Sequence, residues 1–160
     1  MNITIIPGYS RPEDIRRLFT EYTQLLTEGE PEFRQYLQLQ NFDAEIACLE
    51  FKYGHPEGRL YLALADGDPA GCIALRRMDQ NVCEMKRLYV RPEFQGMGIG
   101  RQLTERILED ARSIGYREIL LDTFPFLEKA ITMYRHMGFR EIQQYNNSPV
   151  TAAIYMSLTL

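Results

Sequence analysis

The chain has few cysteines, no low-complexity tract and no long apolar run, and each absence excludes a class of protein. Cys48, Cys72 and Cys83 are odd in number and show no CxxC spacing, which argues against a disulfide framework and against a zinc site. No apolar segment approaches the roughly 20 residues that a membrane helix needs. The first residues also lack the basic and apolar regions of a secretory signal. We therefore expect reduced thiols, no metal, no membrane partner and a cytoplasmic location.

What the chain does contain is typical of a globular protein. Its 160 residues, 45% hydrophobic and 25% charged, predict a single domain over residues 1–160. The formal net charge is −4, yet residues 84–117 hold 7 Lys+Arg against 5 Asp+Glu. This distribution suits an anionic cofactor near Arg91 and Arg101 with a cationic substrate, and it equally suits a randomly mixed surface. We expect no nucleic-acid partner.

The most informative stretch is residues 83–101, CEMKRLYVRPEFQGMGIGR. Met85 to Val90 predict a strand, which Pro92 ends because it lacks a backbone donor. From Ile99 onward the apolar residues recur every three or four positions, which predicts a helix that ends at Gly115. Glycines at 96, 98 and 100 lie between the two elements. Free amides at a helix N-terminus bind anions, so this turn predicts a phosphate site.

Two common phosphate loops fit this turn poorly. No Gly-Lys-Ser or Gly-Lys-Thr occurs in the chain, which excludes a P-loop. A dinucleotide fingerprint, GxGxxG, requires a third glycine where this chain has Arg101, although Asp122 lies at a suitable distance downstream. A nucleotide-dependent oxidoreductase is therefore a minor alternative.

The turn and a second segment together resemble the GNAT superfamily of N-acetyltransferases. Gln95, Gly98 and Gly100 match its Q/RxxGxG/A signature, the preceding LYVRP matches the end of its fourth strand, and LEKAITMYRHMGF at 127–139 is similar to its helix with a tyrosine followed by Gly-Phe. The resemblance implies an α/β (α+β) fold, with a mixed, mostly antiparallel twisted sheet of about seven strands and about four helices. It implies an enzyme that transfers acetyl from acetyl-CoA to an amine by direct attack.

The resemblance also implies roles for individual residues. Tyr134 would protonate the leaving thiolate, and Glu84 would act as general base with a raised pKa. Asp122, at the end of a neighbouring parallel strand, is the alternative base, and water is another. Each residue also has a structural interpretation: Glu84 forms a salt bridge, and Tyr134 packs on the apolar stripe of its helix.

The expected cofactor contacts lie on both sides of Pro92. The backbone of Leu88, Tyr89 and Val90 would pair with the pantetheine arm. The turn would hold the pyrophosphate through Gln95, Gly96, Met97, Gly98, Ile99, Gly100 and Arg101. Many family members have asparagine seven residues before the tyrosine, where this chain has Leu127. A cofactor contact there must be absent or replaced.

The rest of the chain predicts supporting elements. We expect a capping box of Ser10 and Glu13 before the first helix, one or two short helices within residues 31–52, an antiparallel meander from residue 59 to 90, and Pro125 in the first turn of a later helix. A final strand is expected from Val150 to Leu158.

The acceptor side is less defined by the sequence. Carboxylates that could attract an amine, or simply face solvent, are Glu30, Glu32, Asp43, Glu45 and Glu50. Tyr145 and Asn146 fit ordinary turn residues better than substrate contacts. A small-molecule or peptide amine is the expected substrate of a monomer or homodimer. The alternative function is a non-catalytic CoA-binding or regulatory module.

Overall fold

The computed structural model describes residues 1–160 and contains one seven-stranded sheet. In sequence the strands are β1 (Ile3–Pro7), β2 (Arg59–Ala65), β3 (Asp68–Arg77), β4 (Val82–Val90), β5 (Glu118–Thr123), β6 (Arg140–Ile142) and β7 (Ile154–Thr159). Their spatial order is β1-β2-β3-β4-β5-β7-β6. All neighbours are antiparallel except β4 and β5, which are parallel. The predicted mixed, mostly antiparallel sheet is confirmed.

Six α-helices accompany the sheet, where the sequence predicted about four. They are α1 (Pro12–Gly29), α2 (Phe33–Leu39), α3 (Phe42–Ala47), α4 (Leu49–Tyr53), α5 (Ile99–Ile114) and α6 (Glu128–His136). The extra helices arise within residues 31–52, because a left-handed Asn41 and an extended Cys48 divide this segment into three short pieces. None of the helices combines the length and the apolar composition that crossing a bilayer requires.

The two faces of the sheet pack against different helices. Ile99, Leu103 and Ile107 of α5 are fully buried in the larger apolar cluster, which also contains Tyr134 of α6. On the opposite face, α1 contributes Ile15, Leu18 and Phe19, and α4 adds Leu49 and Tyr53. The periodic apolar stripe that predicted α5 is thus the buried face of that helix.

Strands β4 and β5 form a ladder only at their beginning. The parallel register joins Val82–Glu84 to Glu118–Leu120 and stops there. Beyond that point β4 also bulges against β3, with two residues between Lys86 and Tyr89 opposite one on β3. Arg87 lies in this bulge with φ 61, a left-handed conformation that is uncommon for a residue with a side chain. The two strands therefore diverge and leave a cleft between them.

Three local predictions were wrong. The N-cap of α1 is Arg11 without a side-chain cap, because the Ser10 hydroxyl donates to the Pro7 carbonyl at 3.2 Å inside a short 3₁₀ turn. Pro125 lies before α6, whose N-cap is Leu127. Strand β7 begins at Ile154 rather than at Val150 because residues 151 and 152 form a turn.

Candidate active site

The glycine turn presents unpaired backbone donors to a large cavity. Gly96 and Gly98 adopt φ values of 82 and 77, which turn the chain into the start of α5. The first backbone hydrogen bond of this helix runs from Gln102 N to Gly98 O at 3.0 Å, and the N–H groups from Gly96 to Arg101 have no acceptor within the protein. All of these residues except Met97 line a cavity of about 590 Å³. Such donors at a helix N-terminus fit a phosphate group.

Side chains around the turn have other partners. The Gln95 amide donates to the Val90 carbonyl at 3.2 Å and so braces the turn against its own strand. Met97 packs against the core beside α5 and does not line the cavity. Arg91 forms a two-pronged pair with Glu21 of α1, and Arg101 pairs with Glu105 on the surface of α5. The Arg91 side chain is thus held by Glu21, while the backbone of the turn supplies free donors to the site.

The end of β4 forms one wall of the same cavity. Leu88, Tyr89 and Val90 line it, together with Gly96, Gly98, Ile99, Gly100 and Arg101. Because the ladder with β5 has already ended, this edge of β4 has no strand partner and can pair with an extended ligand. An open strand edge that leads to free amides fits an arm that ends in a pyrophosphate.

Tyr134 lies where the cofactor cavity meets a second, much smaller one. The small cavity measures about 30 Å³, and both cavities are lined by Tyr22, Leu88, Leu127 and Tyr134. The Tyr134 side chain is buried, and its hydroxyl makes no hydrogen bond within the protein. Burial raises the pKa of this phenol, with Tyr22 and Asp122 adding to the effect. The hydroxyl is therefore protonated at neutral pH and free to donate to a ligand.

Glu84 does not have the raised pKa that we expected. Its carboxylate accepts from Arg76 at 2.6 Å and from the Tyr145 hydroxyl at 2.5 Å, and the Lys86 ammonium lies 3.9 Å away. Burial alone would raise its pKa, but the charges of Lys86 and Arg76, with the Tyr145 hydrogen bond, outweigh burial and lower the pKa to about 2. A carboxylate held this firmly in its charged form is a weak proton acceptor.

Asp122 near the end of β5 has the properties that were expected of Glu84. It lines the small cavity together with Tyr134, and it forms no ion pair, accepting one hydrogen bond from Asn146 at 3.2 Å. Burial raises its pKa above the ordinary value, Glu84 adds to the rise, and Lys86 opposes it. A partly dry carboxylate with a raised pKa suits general base catalysis.

Tyr145 and Asn146 are more than turn residues, because they contact the two carboxylates of the cleft. Tyr145 bonds to Glu84 and Asn146 to Asp122, so the loop before β7 covers both. The sequence did not reveal this arrangement, since it depends on β7 returning beside β5. Arg76 was also missed, although the short β3–β4 hairpin, which pairs it with Glu84, was a usable signal.

A third cavity, of about 270 Å³, opens on the other side of the small one. It is lined by Tyr36, Leu39, Gln40, Lys52, Arg76, Glu84, Lys86, Asn146 and Asn147. Tyr36, Gln40 and Lys86 line both this cavity and the small one. The three cavities thus follow one another through the cleft. We refer to them as the cofactor cavity, the junction and the acceptor cavity.

The acidic residues that were considered for attracting an amine do not line the acceptor cavity. Glu45 is buried and pairs with Arg87 at 2.8 Å and with Lys52 at 2.8 Å. Burial would raise its pKa, but Arg87 and Lys52 lower it to about 2. Its role is to hold α3 against the bulge of β4. Glu32, Asp43 and Glu50 are exposed.

The open parallel strand pair, the anion-binding turn and the tyrosine between them are the features of a transferase for a phosphorylated acyl donor. Residues 13–139 match the family model described as the Acetyltransferase (GNAT) family. Over 150 residues the chain is 35% identical to an uncharacterized N-acetyltransferase of Schizosaccharomyces pombe, covering 92% of this chain and 88% of that one. The chain belongs to the GNAT acetyltransferase family, and it is an acyltransferase.

Solved structures agree with this assignment at the level of the fold. An acetyltransferase of Streptococcus agalactiae is similar with a TM-score of 0.77 and 22% identity, over 99% of this chain and 98% of that one. The PaiA N-acetyltransferase of Thermoplasma acidophilum, solved in complex with coenzyme A, gives a TM-score of 0.76 at 19% identity and covers both chains fully, 100% each. The predicted fold and family are confirmed.

Proposed function

We propose that the protein transfers the acetyl group of acetyl-CoA to a primary amine by direct attack of the amine on the thioester. The observation that carries this proposal is the succession of cofactor cavity, junction and acceptor cavity, with Asp122 and Tyr134 both lining the junction. Coenzyme A in the solved PaiA structure supports the choice of donor.

The backbone of the chain holds the donor in this proposal. The edge of β4 from Leu88 to Val90 binds the extended arm, and the free N–H groups from Gly96 to Arg101 bind the pyrophosphate. Leu127, at a position where many family members have asparagine, offers an apolar contact at the junction in place of an amide. When bound, acetyl-CoA supplies the acetyl group and leaves as the free thiol.

Asp122 meets the first chemical requirement, which is a neutral amine. An alkyl ammonium with a pKa of about 10.4 is neutral in about one part in 2,500 at pH 7, which costs about 4.6 kcal/mol. Asp122, with its raised pKa, takes a proton from the attacking nitrogen directly or through one water. Glu84 remains charged beside it and holds Tyr145 and Lys86 in place.

Tyr134 meets the second requirement, a proton for the departing sulfur. As the N–C bond forms and the C–S bond breaks, the phenol donates its proton to the thiolate. A phenol and a thiol differ by about 1.5 pKa units, or about 2 kcal/mol, in water. Burial raises the pKa of Tyr134, and it also raises the pKa of a thiol in the same cleft, because both groups ionise to anions. A hydrogen bond between the phenol and the sulfur offsets the remaining difference. The side chain has no competing acceptor within the protein, which leaves its proton available to the ligand.

The assay mixes the protein with acetyl-CoA and a panel of amines and follows free thiol. We expect at least one amine to accelerate thiol release, and we expect coenzyme A to stabilise the fold by about 2.7 kcal/mol at 100 times its Kd. Stabilisation without turnover on any amine would instead identify a binding module. Stabilisation by a dinucleotide and none by coenzyme A would reject the donor.

A matched pair of glycine variants tests the turn itself. Gly96 and Gly67 have similar φ values, 82 and 89, and a Cβ at either position meets nothing within 4 Å. Gly96→Ala and Gly67→Ala therefore carry the same backbone strain of about 1–2 kcal/mol. Gly96 lines the cofactor cavity, while Gly67 lies in the β2–β3 turn. We expect at least tenfold weaker coenzyme A binding for Gly96→Ala alone, and equal affinity in the two variants would reject the site.

A further inference from the structure

The acceptor cavity carries more positive than negative charge. Three cationic side chains, Lys52, Arg76 and Lys86, line it with the single carboxylate of Glu84. The remaining polar lining consists of neutral groups: Tyr36, Gln40, Asn146 and Asn147. This composition is the opposite of what a purely cationic acceptor requires, since like charges in a cleft repel.

Two of the three cations have a carboxylate partner of their own. Arg76 pairs with Glu84 at 2.6 Å, and Lys52 pairs with Glu45 at 2.8 Å. Lys86 lies 3.9 Å from Glu84 Oε1, the same oxygen that accepts from Arg76, and at this distance its ammonium donates no hydrogen bond. Its neighbour Asp122 lies outside ion-pair distance. Lys86 is thus the one cation of the cavity without a hydrogen-bonded acceptor.

Burial makes this lack of a partner informative. The Lys86 side chain is only 5% exposed, and it lines both the junction and the acceptor cavity. The ammonium is not among the side-chain atoms that are sealed from solvent without a partner, so its donors are open to the cavity and to a ligand. The space that it faces is the space that an acceptor must enter. An acceptor with an anionic group would supply the missing partner.

On the basis of the proposed function, we propose that the acceptor is a primary amine that also carries a carboxylate, and that Lys86 binds this carboxylate. The amino group enters the junction beside Asp122 while the carboxylate stays at Lys86, where the two cavities meet. Amino acids carry both groups. Lys52 and Arg76 extend the positive surface outward for a longer or second carboxylate.

The test compares acceptors that differ in the carboxylate alone. L-alanine, L-leucine, L-aspartate and β-alanine are each paired with the corresponding amide, and spermidine represents a polycation. Loss of the carboxylate lowers the amine pKa, because a nearby negative charge favours the ammonium form. The amides therefore have the more reactive amines, so a preference for the acids cannot arise from nucleophilicity. We expect kcat/KM to be at least tenfold higher for one or more acids than for their amides.

Variants of Lys86 connect the preference to this residue. Lys86→Met keeps the length of the side chain and removes its charge, and Lys86→Arg keeps the charge. A charge-assisted hydrogen bond lost in a buried site predicts about a tenfold to hundredfold rise in KM for the acid, with KM for acetyl-CoA unchanged. Lys86→Arg is expected to recover part of the preference. Arg112→Met removes a positive charge from an exposed site on α5 and serves as the control.

The possible outcomes separate this proposal from the function on which it rests. Acetylation of amides and acids at equal rates overturns the carboxylate site and leaves the acetyltransferase intact. Absence of turnover with every amine rejects both. A fall in kcat/KM of Lys86→Met that is equal for acid and amide assigns Lys86 a structural role and overturns the proposal. A loss confined to the acid, in a variant whose thermal unfolding remains cooperative, supports it.

Discussion

Glu84 and Asp122 are carboxylates on neighbouring parallel strands of one cleft, yet their surroundings give them opposite properties. Glu84 is held by Arg76, Lys86 and Tyr145, and its pKa falls to about 2. Asp122 has the Asn146 amide as its hydrogen-bond partner, and burial raises its pKa. The difference lies in the cations, because Glu84 is the more buried of the two carboxylates and yet has the lower pKa. The position of a carboxylate on its strand therefore predicts that it lies in the cleft. Its ion partners decide whether it can accept a proton there.

The largest expected effect is that of Asp122→Asn. Loss of a general base predicts a fall in kcat of about a hundredfold or more, because this step typically contributes that much. Coenzyme A stabilisation should be unchanged. Steady-state kinetics and thermal shift measure the two quantities, and Asp43→Asn, at an exposed position of α3, is the control. Activity within twofold of the original would return the role of base to Glu84 or to water.

Glu84→Gln is expected to act mainly on stability. Removing one partner of a buried ion pair costs about 3 kcal/mol, since Arg76 and Lys86 are left without their carboxylate. The folded-state pKa of Glu84 is lowered from 4.5 to about 2, so its stabilisation is present above about pH 4.5 and is lost as pH falls toward 2. The urea midpoints of the original and variant proteins should therefore converge in acid. Glu109→Gln, at an exposed position of α5, should show no such convergence.

Tyr134→Phe is expected to lower kcat by about tenfold to a hundredfold, because the departing sulfur loses its proton donor. Binding of coenzyme A should change little, since the ring remains. Tyr53→Phe is a suitable control, because the Tyr53 hydroxyl is buried without a partner and lines none of the three cavities. Equal turnover in the original and in Tyr134→Phe would remove this phenol from the mechanism.

The smallest and sharpest effect concerns the pH dependence of kcat. With Asp122 as base, the acidic limb lies above pH 3.8, the ordinary aspartate value. Glu84 raises the pKa of Asp122 through its negative charge, so Glu84→Gln should move this limb to lower pH. Profiles at saturating acceptor and acetyl-CoA measure the shift. Complete loss of the limb in this variant would show that the titrating group is Glu84 itself.

The cofactor half of the site could be predicted from the sequence because its residues are close together along the chain. Strand β4, the glycine turn and α5 are contiguous, and each has a recognisable pattern of apolar residues, proline and glycine. The acceptor half is assembled from separate segments, among them α2, β3 and the loop before β7. The pKa of Glu84 is lowered first by Lys86, which is two residues away in the sequence. Arg76, across a hairpin, and Tyr145, 61 residues away, lower it further, and these two partners depend on the fold.

The predictions of the N-termini of α1 and α6 were wrong for a different physical reason. Ser10 satisfies a capping pattern, but the preceding Pro7 carbonyl competes for its hydroxyl within the 3₁₀ turn. Pro125 fits the first turn of a helix, but the chain first bends so that Phe124 packs against Phe33 of α2, with ring centroids 5.3 Å apart. In both cases a tertiary or neighbouring contact prevailed over a local preference of modest energy.

The junction has a steric consequence for the range of acceptors. Its volume of about 30 Å³ compares with about 590 Å³ for the cofactor cavity and about 270 Å³ for the acceptor cavity, so the junction is the narrowest part of the passage. The buried side chains of Tyr36 and Tyr134 are among its walls, so a second substituent on the attacking nitrogen would crowd them. Primary amines, amino acids among them, should therefore be acetylated faster than their N-methylated counterparts.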